Sequence, residues 1–311
     1  MSRLVCSFIL FACFATGLAA DTSDDQPIGG FVPKRIPAYI ALVLFGISAI
    51  IHWIHFFTVK PTRRFLISLP LGMTAMAIGF ALRIVYTYPP FTLVRYIAWD
   101  LFILLSPCAF LAGLYMLIGR LVAIFDQEVT DRCLLIHSSR IVKFFVWSDF
   151  WTFNLQGNGG GLAASKNATL SKVGNWIALV GLIFQALSFL FFTCVLLIFG
   201  WRVRAHFPAA WRPQNPRPFK VLSRQPIDDW RILFYVMCAT SVGILIRSIF
   251  RVAEFAGGAT GSIATHEGYF YTFDSLPLWL AMTLYCVVWP ARALNEHSGQ
   301  MELQALHKVL V

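Results

Sequence analysis

The sequence predicts an all-α polytopic membrane protein of seven transmembrane helices, with the N-terminus exoplasmic and the C-terminus cytoplasmic. Of its 311 residues, 58% are hydrophobic and only 13% charged, with mean hydropathy +0.69; soluble domains carry about 25% charged residues. Apolar windows of helix-spanning length recur along the chain, too long for spanning β-strands. Lys and Arg are dense in every second segment between windows, which sets the orientation.

Residues 1–20, MSRLVCSFILFACFATGLAA, have the form of a signal peptide: Arg3, an apolar run from Leu4 to Phe14, then small residues ending at Ala20. Cleavage there removes Cys6 and Cys13. Of the five remaining cysteines, Cys108, Cys194, Cys238 and Cys286 fall in spans and Cys133 in a loop expected in the cytoplasm, so no exoplasmic pair is available for a disulfide. Residues 21–37 read as a short acidic exoplasmic leader, 38–291 as the transmembrane domain and 292–311 as a cytoplasmic tail. The spans are expected near 38–57, 66–86, 94–119, 141–163, 173–199, 231–254 and 271–291.

In this layout sixteen of the 25 Lys and Arg fall in cytoplasmic segments and five outside. The Asn167-Ala168-Thr169 glycosylation sequon lies in a loop that the same layout places outside. The +10 net charge therefore reflects positive-inside loops and anionic lipid rather than nucleic acid. The 200–230 loop is rich in Arg and Pro and offers a surface to anionic headgroups or a cytosolic partner.

Ionisable residues within spans cost several kcal/mol unless paired or facing a cavity, so they mark the candidate site. Arg83, Asp100, Arg247, Arg251, Glu254 and Asp274 all fall towards the exoplasmic ends of their spans, three cations against three acids. Arg247, Arg251 and Glu254 share one helical face. Asp100 is the expected partner of Arg83. Deeper lie Asp149 and, two turns on, Gln156, followed by Gly157, Gly159, Gly160 and Gly161, which permit close helix approach or a broken helix end. His52 and His55 are spaced i, i+3 on the first span and lack a third metal ligand; His266 and Glu267 stand outside, before the seventh. No metal or cofactor is expected. Hydrolase, phosphate-loop and dinucleotide-binding motifs are absent, and the chain reads as a non-enzyme.

The stretch R247-S-I-x-R251-x-x-E254, with G257, G261, H266-E267, Y271 and F273-D274, resembles the fungal RTA-like, or lipid-translocating exporter, family. So do D149 with Q156, the W176 to Q185 segment, L105-x-P107, Y115-x-x-x-G119-R120 and His52 with His55. The likeness covers roughly residues 36–290. The sequence departs from the family pattern at Met76, where the family carries glutamate, at Phe80, and at Trp99 beside Asp100. The resemblance implies movement of amphiphilic lipids, such as sphingoid bases, phospholipids or sterol-like amines, and resistance to toxic lipids or drugs, in the plasma membrane or an endomembrane. Membrane lipids and a lipid substrate are then the partners. A lipid sensor signalling through the 200–230 loop is the alternative, and a membrane hydrolase a third reading.

Overall fold

The computed structural model describes residues 33–59, 64–89, 91–125, 127–135, 138–163, 167–211, 227, 229–258, 261 and 266–294. The expected signal peptide, most of the leader, most of the basic loop and the tail after residue 294 lie outside these. Among the described residues there is no β-strand. The long helices are α1 (Arg35–Thr58), α2 (Ser68–Tyr86), α3 (Leu93–Val122), α4 (Ser138–Ala163), α5 (Ala168–His206), α6 (Trp230–Ala256) and α7 (Leu276–Val287). A 3-10 turn, Arg64–Ile67, leads into α2. A short helical turn, Glu267–Tyr269, and a π-helical turn, Phe270–Ser275, lead into α7.

Five stretches are long and apolar enough to cross a membrane: Arg35–Thr58, Arg64–Tyr86, Val94–Val122, Thr169–His206 and Trp230–Ala256. The other two expected crossings coincide with α4, which carries Arg140, Lys143, Asp149, Asn154, Gln156 and Asn158, and with α7, whose regular part is 12 residues long. Each helix packs on the next in chain order; α7 closes the ring against α1, and α3 also reaches α6.

The ring places large apolar groups outside and polar groups inside. On α1, Ile36, Ile40, Val43, Ile47, Ile50, Ile54 and Phe57 form an exposed stripe at alternating spacings of four and three, one continuous helical face. The opposite face buries Ala38, Ala41, Phe45, Ser48, Ala49 and His52. Because lipid tails are as apolar as Leu, packing and interhelical hydrogen bonds hold such a bundle together. Trp279 Nε1 accordingly donates to Leu44 O at 3.2 Å and to Ser48 Oγ at 3.1 Å, tying α7 to α1. Trp53 Nε1 donates to Thr74 Oγ1 at 3.1 Å, tying α1 to α2.

Among the glycines of α4, Gly159 makes the backbone approach that the sequence suggested: a Cβ there would run into the backbone of Gly174 and Ala178 on α5. A Cβ at Gly160 or Gly161 would meet open space. The connection between these helices is short, and Asn167 caps α5 by accepting from the Thr169 amide at 3.0 Å.

Candidate functional site: a buried ionic cluster and a polar track

Pro107 sits inside α3 and has no N–H to give to the carbonyl four residues back, that of Ile103. A carbonyl stranded in a bilayer costs several kcal/mol. Here it is met twice: Ser106 Oγ donates to Ile103 O at 3.2 Å, and Arg247 Nη2 donates to it at 3.2 Å from α6. The proline thus creates an acceptor that fixes an arginine inside the bundle.

The second anchor is Asp274, which is wholly buried. Pro277 cannot donate back to the preceding turn, and the Leu276 amide bonds instead to Tyr271 O, five residues back. The resulting π turn aims the Asp274 carboxylate between two guanidinium groups. Arg247 Nη1 donates to Oδ2 at 2.8 Å and Arg251 Nε to Oδ1 at 2.5 Å. Arg251 Nη1 also reaches Glu254 Oε2 at 3.2 Å, so the predicted shared face of α6 does carry one network. Gly243 lets α7 approach α6 below it: an added Cβ would lie 2.8 Å from Pro277 O.

Arg83 is a correction. Its partner is Glu267, with Nη2 donating to Oε1 at 2.8 Å, not Asp100. The other Glu267 oxygen accepts from the Lys34 backbone amide at 2.7 Å, which ties the start of α1 to the turn before α7. The guanidinium carbon of Arg83 lies 4.5 Å from the Trp99 ring centre and 4.7 Å from that of Phe270, a cation–π cage. Trp99 is therefore one wall of an arginine cage. Asp100 is half-buried within electrostatic reach of Arg251 and Arg83, but makes no direct ion pair among the described residues. With Glu267 included, the cluster holds three cations, Arg83, Arg247 and Arg251, against four acids, Asp100, Glu254, Glu267 and Asp274.

Below the arginines a cavity of ≈ 30 Å³ opens between α3, α5 and α6, lined by Pro107, Leu111, Gln185, Ser248, Arg247 and Arg251. That is room for water. Gln185 continues inward: its Oε1 accepts from Gln156 Nε2 at 2.8 Å, and its Nε2 faces Cys108 Sγ at 3.9 Å. Asp149, on the same face of α4 as Gln156, is 5% exposed and both its carboxylate oxygens lack a hydrogen-bond partner among the described residues. Tyr115 of α3, which the sequence did not mark as a site residue, turns its hydroxyl towards Asp149 without reaching full hydrogen-bond geometry.

The histidines form a separate group. His52 Nδ1 lies 2.7 Å from Ser48 O and 3.3 Å from Cys286 Sγ, and His55 Nε2 lies 3.0 Å from Cys286 O, an end carbonyl of α7. Trp289 stacks on the His55 ring. No three metal-ligating side chains cluster among the described residues. His266 is exposed, near Tyr269. Of the 200–230 loop, the described start places Arg202 and His206 with Arg132 and Trp201 around an open recess of ≈ 580 Å³.

A closed ring of helices with lipid-facing apolar stripes and charges turned inward defines an integral membrane protein. The chain belongs to the RTA1-like protein family, whose model matches residues 69–297. It is 30% identical to Protein RTM1 of Saccharomyces cerevisiae over 231 residues, 74% of this chain and 69% of that protein. Protoporphyrin uptake protein 1 of the same organism is 30% identical over 219 residues, 70% of this chain and 65% of that protein. The sphingoid long-chain base transporter RSB1, also of Saccharomyces cerevisiae, is 23% identical over 317 residues, 93% of this chain and 80% of that protein. No solved structure matches the chain.

Proposed function

We propose that this protein moves amphiphilic lipids with a cationic headgroup across its membrane, sphingoid bases foremost, and so confers resistance to toxic lipids. The supporting observation is the acid excess of the buried cluster: four carboxylates face three guanidinium groups, and Asp100 has no direct counter-ion among the described residues. A lipid ammonium entering beside Asp100 and Glu254 neutralises that excess and competes with Arg251 for its acids. Arg247 and Arg251 offer donors to a phosphate or hydroxyl next to the amine. The sphingoid-base and porphyrin cargoes in the relatives' names are both amphiphiles, which agrees with this reading. In this reading the N-terminus faces outside, in keeping with the bias of Lys and Arg, and the plasma membrane is the proposed location.

The test is transport of a labelled sphingoid base by purified protein in proteoliposomes. Glu254→Gln and Asp100→Asn are expected to slow it about tenfold, the effect of about 1.4 kcal/mol of lost headgroup interaction; Arg251→Met should slow it further. Wild-type rates in all three folded variants would overturn the assignment of the cluster as the headgroup site.

A further inference from the structure

Every other acid in the bundle's interior is in or beside the arginine cluster, whereas Asp149 stands apart. It is the twelfth of the 26 residues of α4 and so lies near mid-helix, with no hydrogen-bond partner for either oxygen among the described residues. α4 packs on α3 and α5. From α3 it is faced by Tyr115 and, about two turns away, Cys108. α5 carries no titratable residue between Lys172 and Cys194. Within α4 the nearest cations are Lys143 and Arg140, both exposed towards its start. The register set by Gly159 over Ala178, Gln156 against Gln185 and Phe145 against Phe192 brings Ser188 of α5 to the level of Asp149, and the Ser188 hydroxyl too is buried without a partner among the described residues.

Three helices therefore bring polar atoms without a well-formed hydrogen bond to one level of the apolar interior. An ionised carboxylate there, with no cation, has far less to hold it than the neutral acid. The surroundings are too tight for a lipid headgroup: the Tyr115 ring packs 5.2 Å from Phe145 and 4.7 Å from Phe192. A hard cation such as Ca²⁺ or Mg²⁺ takes about six oxygen ligands, and no three His, Cys, Asp or Glu side chains gather among the described residues to hold a softer one. A proton is the ligand that fits. About two turns along α4 from Asp149, Gln156 pairs with Gln185, which lines the water-sized cavity under Arg247 and Arg251.

We propose that Asp149 is a proton-binding site that exchanges one proton for each cationic headgroup moved. This rests on the transport reading given above. The carboxylic O–H breaks as the headgroup enters the arginine cluster, the proton leaves by way of cavity water to the side the cargo came from, and the ammonium at the cluster replaces the proton's charge inside the bundle without reaching Asp149 itself. When the cargo departs, a proton from the receiving side returns to Asp149.

Proteoliposomes with an imposed gradient of about one pH unit test it, with protein-free vesicles giving the background from passive amine trapping. One coupled proton supplies about a tenfold driving ratio per unit. Wild-type flux should accelerate towards the acidic compartment, and Asp149→Asn should carry the same flux with and without the gradient. An undiminished gradient response in Asp149→Asn overturns the proton site and leaves transport standing. Infrared titration of the purified protein in nanodiscs is independent of flux: a protonated-acid C=O band that titrates in wild type must vanish in Asp149→Asn. If wild type carries no flux above background, the transport reading falls, and the infrared band alone decides whether Asp149 holds a proton. Should Asp149→Asn fail to fold, Asp149→Glu and Tyr115→Phe are expected to move the midpoint of that band; a midpoint unmoved in both overturns the assignment.

Discussion

Arg83 shows how far a single residue can be read from the chain. A buried guanidinium needs an acid, and Asp100, one span away, is the nearest in sequence terms. The partner is Glu267, 184 positions distant and in the turn before the last helix. Nothing in local spacing ranks one acid over the other, because the choice depends on how α2, α3 and the approach to α7 meet. The two acids should therefore separate experimentally. Glu267→Gln leaves Arg83 buried without its counter-charge, and should lower the stability of the detergent-solubilised protein by about 3–5 kcal/mol. Asp100 has no direct pair to lose, so Asp100→Asn should leave the melting temperature close to wild type while slowing transport. Thermal unfolding run beside the flux assay reads both.

Pro107 and the turn Phe270–Ser275 act on whole helices rather than on single contacts. Pro107 and Pro277 each lack a backbone donor inside a span; Arg247 takes the carbonyl left by the first, and the π turn before the second presents Asp274 to Arg247. The prolines are visible in the sequence; that one frees a carbonyl for Arg247 and the other accompanies a π turn under Asp274 depends on side chains from another helix. Pro107→Ala restores the amide that can reach Ile103 O and should hold or raise the melting temperature while lowering flux, because Arg247 loses an anchor. Wild-type flux in that variant would mean the break in α3 is passive. The glycines after Gln156 make a parallel case. Gly174→Leu should push α4 and α5 apart, since an added Cβ meets the backbone of Gly159 and Ala163, and cost about 3 kcal/mol, the upper end of the usual overpacking range. Gly161→Ala faces open space and should be neutral or slightly stabilising. Equal losses in both would contradict the crossing at Gly159 and Gly174.

For the whole molecule, the bias of basic residues predicts the orientation, and Asn167 offers a direct reading of it. Expression in a glycosylating membrane should give a glycan-dependent mobility shift that disappears in Asn167→Gln, with a C-terminal tag reachable only from the cytoplasmic side; a tag reachable from outside would reverse the layout. The helical class, the membrane setting, and most helix positions to within a few residues were legible in the chain, since hydrophobic length and charge bias are local properties. So were most of the inward charges, because lipid tolerates few facing outward; Glu267, read as standing outside before the seventh span, is the acid that was missed, and it is buried against Arg83. Pairing was not legible. Which acid meets Arg83, which carbonyl receives Arg247, and which carboxylate is left unpaired at Asp149 follow only from closing the ring of helices, where residues far apart in sequence come within hydrogen-bond reach and the low dielectric makes each match or mismatch decisive.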